Sequence, residues 1–127
     1  MTSQNVIDAH QVIEIHDLIL RQEPGLAGGH GVGPLEGALA RIDSRILYEQ
    51  LDDVFEIAAM YAVALARGHV FNDANKRTAL VTALTYLAIQ GYDVPRSDEL
   101  EDIMVDVAEG TLNEKELADL LFSIAIE

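Results

Sequence analysis

Nine consecutive residues, His69-Val70-Phe71-Asn72-Asp73-Ala74-Asn75-Lys76-Arg77, bring an imidazole, a carboxylate, two amides and two cations into one short stretch. Side chains of these types suit the transfer of a phosphate-bearing group. A neutral imidazole can take a proton from an attacking hydroxyl. A carboxylate can hold Mg²⁺ against phosphates, because Mg²⁺ keeps several waters and takes only one or two protein carboxylates. Lys76 and Arg77 fall where the next helix should begin, and cations in a first turn oppose the helix dipole. A bound polyanion would remove that conflict, and a helix N-terminus itself offers unpaired N–H groups to phosphate. The competing arrangement is that both side chains turn away to pair with acids elsewhere.

Within this stretch His69 is the expected reactive group. It lies close in sequence to Asp73, Lys76, Arg67 and Arg77, whereas His10, His16 and His30 have no such company and are read as structural. Phe71 is apolar between polar neighbours, so it is expected to plug into the core and hold His69 in place. Asp73 fits either the N-cap of the following helix or a Mg²⁺ ligand. Asn75 could meet a phosphate or satisfy the loop backbone. Spacing fixes no second carboxylate, which argues against a metal cage made wholly of protein. Neither a Gly-x-x-x-x-Gly-Lys-Ser/Thr run nor a Gly-x-Gly-x-x-Gly run is present.

The elements that must position these residues read as helices. Val6, Ile7, Val12, Ile13, Ile15, Leu18, Ile19 and Leu20 recur at three-to-four spacing, and Pro24-Gly25 ends that first helix. Six of the nine glycines stand at 25, 28, 29, 31, 33 and 37, so Gly25 to Gly33 is expected to be a flexible loop, longer than a mere connector needs to be. Pro34 suits the first position of a second helix carrying Leu35, Leu39, Ile42 and Ile46. A third runs from about Asp52 to Gly68, its cap candidates. A fourth starts near Asp73 and ends at Gly91, apolar on most sides from Thr78 to Ile89 and therefore expected to be the central, most buried helix. Asp98 to Ala108 and Asn113 to Ile126 complete an all-α domain of about six helices spanning residues 1–127.

Composition narrows the classes of function. Half of the residues are hydrophobic and none is Cys, which fits an ordinary globular protein. Met1-Thr2-Ser3-Gln4-Asn5 lacks the basic start and apolar stretch of a secretory signal, and no apolar run approaches the length of a membrane helix, so a cytoplasmic location is expected. A formal charge of −14 argues against direct contact with DNA or RNA. Against that background Arg67 to Arg77 carries three bases and one acid, while Ser97 to Glu127 carries ten acids and one base, a solvated face or a surface for a basic partner.

The run His-x-Phe-x-Asp-Ala-Asn-Lys-Arg, followed by Thr78-Ala79-Leu80, resembles the signature loop of the Fic/Doc superfamily, in the form carried by the Doc, or death-on-curing, toxins of bacterial and phage toxin–antitoxin pairs. The likeness extends to His16-Asp17, the Gly-rich stretch before Leu35-Glu36, Tyr48, the Ala-rich third helix and Gly91-Tyr92. It implies a six-helix Fic/Doc core with a short Gly-rich flap between the first two helices. The larger Fic branch carries a second Gly where this chain has Lys76, and that Gly lets backbone N–H groups cup a phosphate while AMP is transferred. A long cation cannot leave the same concavity. The resemblance therefore implies a protein kinase that moves the γ-phosphate of ATP to a Thr of translation elongation factor Tu and arrests translation. An AMP transferase, or a non-catalytic co-repressor that binds an antitoxin, are the alternatives.

Carried onto this chain, the resemblance makes His69 the general base and Asp73 the Mg²⁺ ligand or orienting carboxylate. Lys76 joins them as a catalytic cation, and Asn75, Lys76, Arg77 and Arg67 hold the phosphates of ATP. The Gly25 to Gly33 flap would place the target segment by strand-like pairing. Val70 and Ala74 replace a Pro and a Gly common in relatives, and Gly31-Val32-Gly33 lacks the Arg-Asp many members carry there. The Ser/Thr-x-x-x-Glu-Gly/Asn pattern of self-restraining members fails at Ser97 to Glu101, where Asp102 follows. Restraint is then expected from a separate Phd-type antitoxin, through which alone the chain would reach nucleic acid.

Overall fold

A computed structural model describes residues 7–126 as six helices: α1 (Ala9–Gln22), α2 (Val32–Glu49), α3 (Val54–Gly68), α4 (Asn75–Ile89), α5 (Asp98–Glu109) and α6 (Glu114–Ala125). Among the described residues β structure is limited to one isolated antiparallel bridge between Gly29 and Phe71. The all-α expectation holds. Val6, counted in the apolar stripe of the first helix, lies outside the described residues.

Local chemistry explains most of the boundaries. Asp8 caps α1 through a reciprocal pair with Gln11, at 2.9 and 2.8 Å. Its buried face is Ala9, Val12, His16 and Ile19, the spacing of one helical stripe. Pro34 falls in the first turn of α2, two residues after its start, where its missing N–H costs nothing. Asp53, and not Asp52, caps α3 by accepting from the N–H groups of Phe55 and Glu56. Asn113 and Glu116 form a second reciprocal cap at the start of α6.

Helices α3 and α4 form the most extensively packed pair, with α1 and α5 against α4, and α2, α5 and α6 against α3. The expectation that α4 is the most buried helix is corrected in one respect. Ten of the fifteen residues of α3 are buried, against eight of fifteen in α4. Small residues at Ala58, Ala59, Ala62 and Ala66 let α3 approach its neighbours closely, while Ala88 and Ile89 at the end of α4 are exposed. Tyr61 and Tyr86 meet between the two helices with ring centroids 5.4 Å apart. A buried central pair matters for function because the six residues joining it are most of the His69 to Arg77 stretch.

Two features of this pair carry testable consequences. The hydroxyls of Thr78 and Thr82 are buried in α4 with no hydrogen-bond partner among the described residues. An unsatisfied buried hydroxyl costs more than the net worth of the bond it lacks. Thr82→Val keeps the shape and removes the hydroxyl, and urea denaturation should show a gain of about 1 kcal/mol; an unchanged or lower midpoint would contradict it. His69 ends α3 in the left-handed region, φ 50° and ψ 42°, the position glycine usually takes. His69→Gly should therefore raise the thermal midpoint, by up to about 1 kcal/mol of stability, while it removes the imidazole.

Candidate active site

The turn from α3 into α4 is built around the peptide of Phe71. The Asn75 side chain closes on it from both sides: Oδ1 accepts from the Phe71 N–H at 3.1 Å and Nδ2 donates to the Phe71 carbonyl at 2.9 Å. The Phe71 ring is buried and lies flat on the imidazole of His16, with centroids 3.8 Å apart and planes 9° from parallel. His16 is 1% exposed and its Nε2 stands 2.9 Å from the carbonyl of Asp73. A carbonyl can only accept, so Nε2 carries the proton and donates it. Nδ1 faces the Asp17 carboxylate at 3.4 Å.

A second strap crosses from residues 25–31. The His30 N–H donates to the Val70 carbonyl at 3.0 Å, and the Asn72 N–H donates to the Gly28 carbonyl at 2.9 Å. Asn72 Nδ2 adds a bond to the Ala27 carbonyl at 3.1 Å. Gly29 is required at the crossing, since a Cβ there would stand 2.5 Å from the Val70 carbonyl oxygen. The Gly-rich segment is therefore paired to the turn that bears His69, a connection the sequence did not disclose.

Asp73 is not the N-cap of α4. Ala74 holds that position in the left-handed region, φ 65°, and no side chain caps the helix. The Asp73 carboxylate instead accepts from the N–H of Ala74 at 2.8 Å and of Leu26 at 3.1 Å. Those two bonds, followed by the charges of Arg77 and Lys76, hold it below the ordinary carboxylate range. The start of α4 is left open, and its first-turn N–H groups have no partner within the helix.

His69, Asn72, Asp73, Asn75, Lys76 and Arg77 line one cleft of about 280 Å³ over that open start, backed by Ala66 and Ala108. Lys76 is exposed there, with no ion-pair partner among the described residues. Arg77 lies partly buried, donating to the Pro24 carbonyl at 3.0 Å and to Glu23 at 3.4 Å, with Asp73 4.0 Å away. Of the anticipated site residues Arg67 alone is placed elsewhere. Its guanidinium donates to the carbonyls of Val107 at 2.8 Å and Leu112 at 3.1 Å, tying α3 to the α5–α6 turn. Asn75 borders the cleft with one bond from each end of its amide to Phe71, and its second Nδ2 hydrogen is not taken up by those bonds.

The donor set suits an ion that arrives with a phosphate. Among the described residues no group of three or more His, Cys, Asp or Glu side chains could hold a metal. Asp73 stands alone in the cleft, and its oxygens keep lone pairs beyond those taken by Ala74 and Leu26. A Mg²⁺ there would draw its remaining ligands from phosphate oxygens and water.

His16 is the residue whose part in the site the sequence left unspecified. Reading it as structural was sound, but its position on the Val12–Ile19 stripe of an amphipathic helix was a signal that a polar ring had to be buried there. A buried imidazole needs a partner, and the partner is the turn that bears His69.

The chain is similar in sequence to known proteins across this turn. The model of the Fic/DOC family matches residues 6–87, which include the whole of the α3–α4 turn. A protein kinase doc of Escherichia phage P1 is 43% identical over 115 residues, 91% of each chain. A toxin Doc of Mycolicibacterium smegmatis is 36% identical over 80 residues, 60% of this chain and 62% of the relative. A bipartite anchor on Phe71, an open helix start faced by two cations, and a family match that spans them all lead to one assignment: this chain belongs to the Fic/DOC family.

Proposed function

We propose that this chain is the toxin of a toxin–antitoxin pair and a protein kinase, transferring the γ-phosphate of ATP to a protein hydroxyl. The observation that carries the reading is Lys76, a cation without an ion-pair partner among the described residues, set in the first turn of an uncapped helix where a polyanion would be welcome. The names of the two relatives, a protein kinase and a toxin, support the same activity.

In this mechanism the phosphates lie over the start of α4, against its free N–H groups, Lys76 and Arg77. Asp73 is the residue that would hold Mg²⁺, which supplies charge neutralisation on the phosphate oxygens. Its carboxylate is suited to that role because the Ala74 and Leu26 N–H groups keep it ionised and fix its direction. His69 takes the proton of the target hydroxyl. The hydroxyl oxygen then bonds to the γ-phosphorus as the bond from that phosphorus to the β,γ-bridging oxygen breaks, and ADP leaves. Arg67 has no part in this scheme, since its guanidinium serves the α5–α6 turn.

The target we infer is a Thr of elongation factor Tu, whose modification would halt protein synthesis in the cytoplasm. No helix among the described residues is long and apolar enough to cross a membrane. Residues 25–31, paired to the His69 turn, would act as the flap that holds the target backbone near the imidazole. Restraint would come from a Phd-type antitoxin, which would also provide any link to DNA.

Incubation with elongation factor Tu and ATP labelled separately at the α and γ positions tests the chemistry. Label should pass to the factor from the γ position alone; transfer of α-label would establish AMP transfer instead. His69→Ala should lower the rate by about 10²–10⁴ with unchanged circular dichroism, and undiminished toxicity of that variant in growing cells would defeat the catalytic assignment. Asn75→Ala strands both polar groups of the Phe71 peptide, so it should destabilise the fold by about 1–3 kcal/mol in chemical denaturation and reduce transfer as well.

A further inference from the structure

Behind the His69 cleft lies a second one of about 460 Å³, lined by Glu23, Arg77, Arg96, Ser97, Asp98 and Glu101. Arg77 borders both. Glu23 closes the chain of α1 in an extended conformation just before Pro24, and its carboxylate faces two guanidinium groups. They are not held equally. Arg96 grips it with two bonds, Nη1 to Oε2 at 2.8 Å and Nη2 to Oε1 at 3.1 Å. Arg77 reaches it with one long contact of 3.4 Å. The Nε of Arg96 is engaged with Glu101 in the first turn of α5, which fixes the fork from behind.

A bidentate guanidinium fixes a carboxylate's direction as well as pairing its charge, and here it leaves Arg77 with the single, longer contact. Arg77, with Asp73 a further 4.0 Å contact, is thus matched by Glu23 only at long range. Without Arg96, Glu23 would have Arg77 as its nearest cation, only 3.4 Å away, and could turn fully onto it. The phosphate site would then lose one of its two cations to the protein itself. We propose that Arg96 is a positioning residue for phosphate binding: by holding Glu23 in a fork it keeps that carboxylate from neutralising Arg77. This rests on the reading of the His69 cleft as a phosphate site, and it adds to that site a residue from the α4–α5 connection, nineteen positions beyond Arg77.

Calorimetric titration of the full chain with ATP and Mg²⁺ tests it. Arg96→Gln should weaken binding roughly threefold to fivefold, the upper part of the range of one partly exposed ion pair. Glu23→Gln should bind as well as the parent or better. The double variant Glu23→Gln/Arg96→Gln should return to within about twofold of the parent, because the carboxylate that would have moved is gone. In the kinase assay the Arg96→Gln effect should fall on KM for ATP, with kcat held. A merely structural ion pair would leave the double variant at least as weak as Arg96→Gln, and that result overturns the proposal, as does equal binding by Arg96→Gln and parent. Arg45→Gln, which removes a cation held by Glu49 and Glu114 outside either cleft, should not change binding; a loss matching that of Arg96→Gln would assign the effect to net charge and overturn the contact. Should Arg96→Gln fail to fold, Arg96→Lys is expected to show a smaller loss that Glu23→Gln again removes, and the absence of that rescue counts against the proposal. A parent that binds no ATP would defeat the phosphate-site reading itself, which separates that failure from failure of the Arg96 inference.

Discussion

The peptide of Phe71 is held on its polar edge by both ends of the Asn75 amide and through its ring by the face of His16. Everything that could do chemistry hangs from that grip. Six residues join two buried helices, and within them two non-glycine residues, His69 and Ala74, are forced into the left-handed region. Such a turn is costly by itself. It persists because the packing of Phe71 into the core and the bond from His16 to the Asp73 carbonyl over-determine its path. The outcome is an exposed imidazole on a rigid mount, at the mouth of an open helix.

Charge placement follows from the same geometry. In a chain of net charge −14, two of eight cations stand in the first turn of α4, against the helix dipole. One of them, Lys76, has no ion-pair partner among the described residues. The other, Arg77, meets Glu23 at 3.4 Å and Asp73 at 4.0 Å, while Arg96 makes the two shorter bonds to Glu23. Arg96 and Glu101 extend this line of alternating charge to α5, so three segments that lie far apart in sequence set the potential of one cleft. Folded stability is not the object of such an arrangement; partly exposed pairs contribute little to it.

The Gly-rich stretch acquires a similar logic. A loop of this length could cross the turn in many ways. Here it is fastened at Gly28 and His30 to the backbone of Val70 and Asn72, and Gly29 makes the close approach possible. The same strap gives the Asp73 carboxylate its second donor, Leu26. Loop and turn thus constrain each other, and the orientation of Asp73 depends on both.

Helix periodicity, a helix start at Asn113, and the His-x-Phe-x-Asp-Ala-Asn-Lys-Arg run were legible in the residues alone, because each depends on neighbours within one or two turns. So were the six helices and the family. What the residues could not disclose was partnership across distance. Asp73, read as a cap or a Mg²⁺ ligand, accepts from the Leu26 N–H; Arg67, which the resemblance set against phosphate, bonds to the α5–α6 turn; His16, read as structural, stacks on Phe71 of the turn. Glu23 and Arg96 had no local pattern at all. Local sequence determined which groups were present and which elements would form, since helix and cap energetics are short-ranged. Tertiary structure decided which cation each carboxylate faces and which polar group each loop satisfies, because hydrogen bonds and ion pairs are settled by distances of a few ångströms between segments that the chain itself holds far apart.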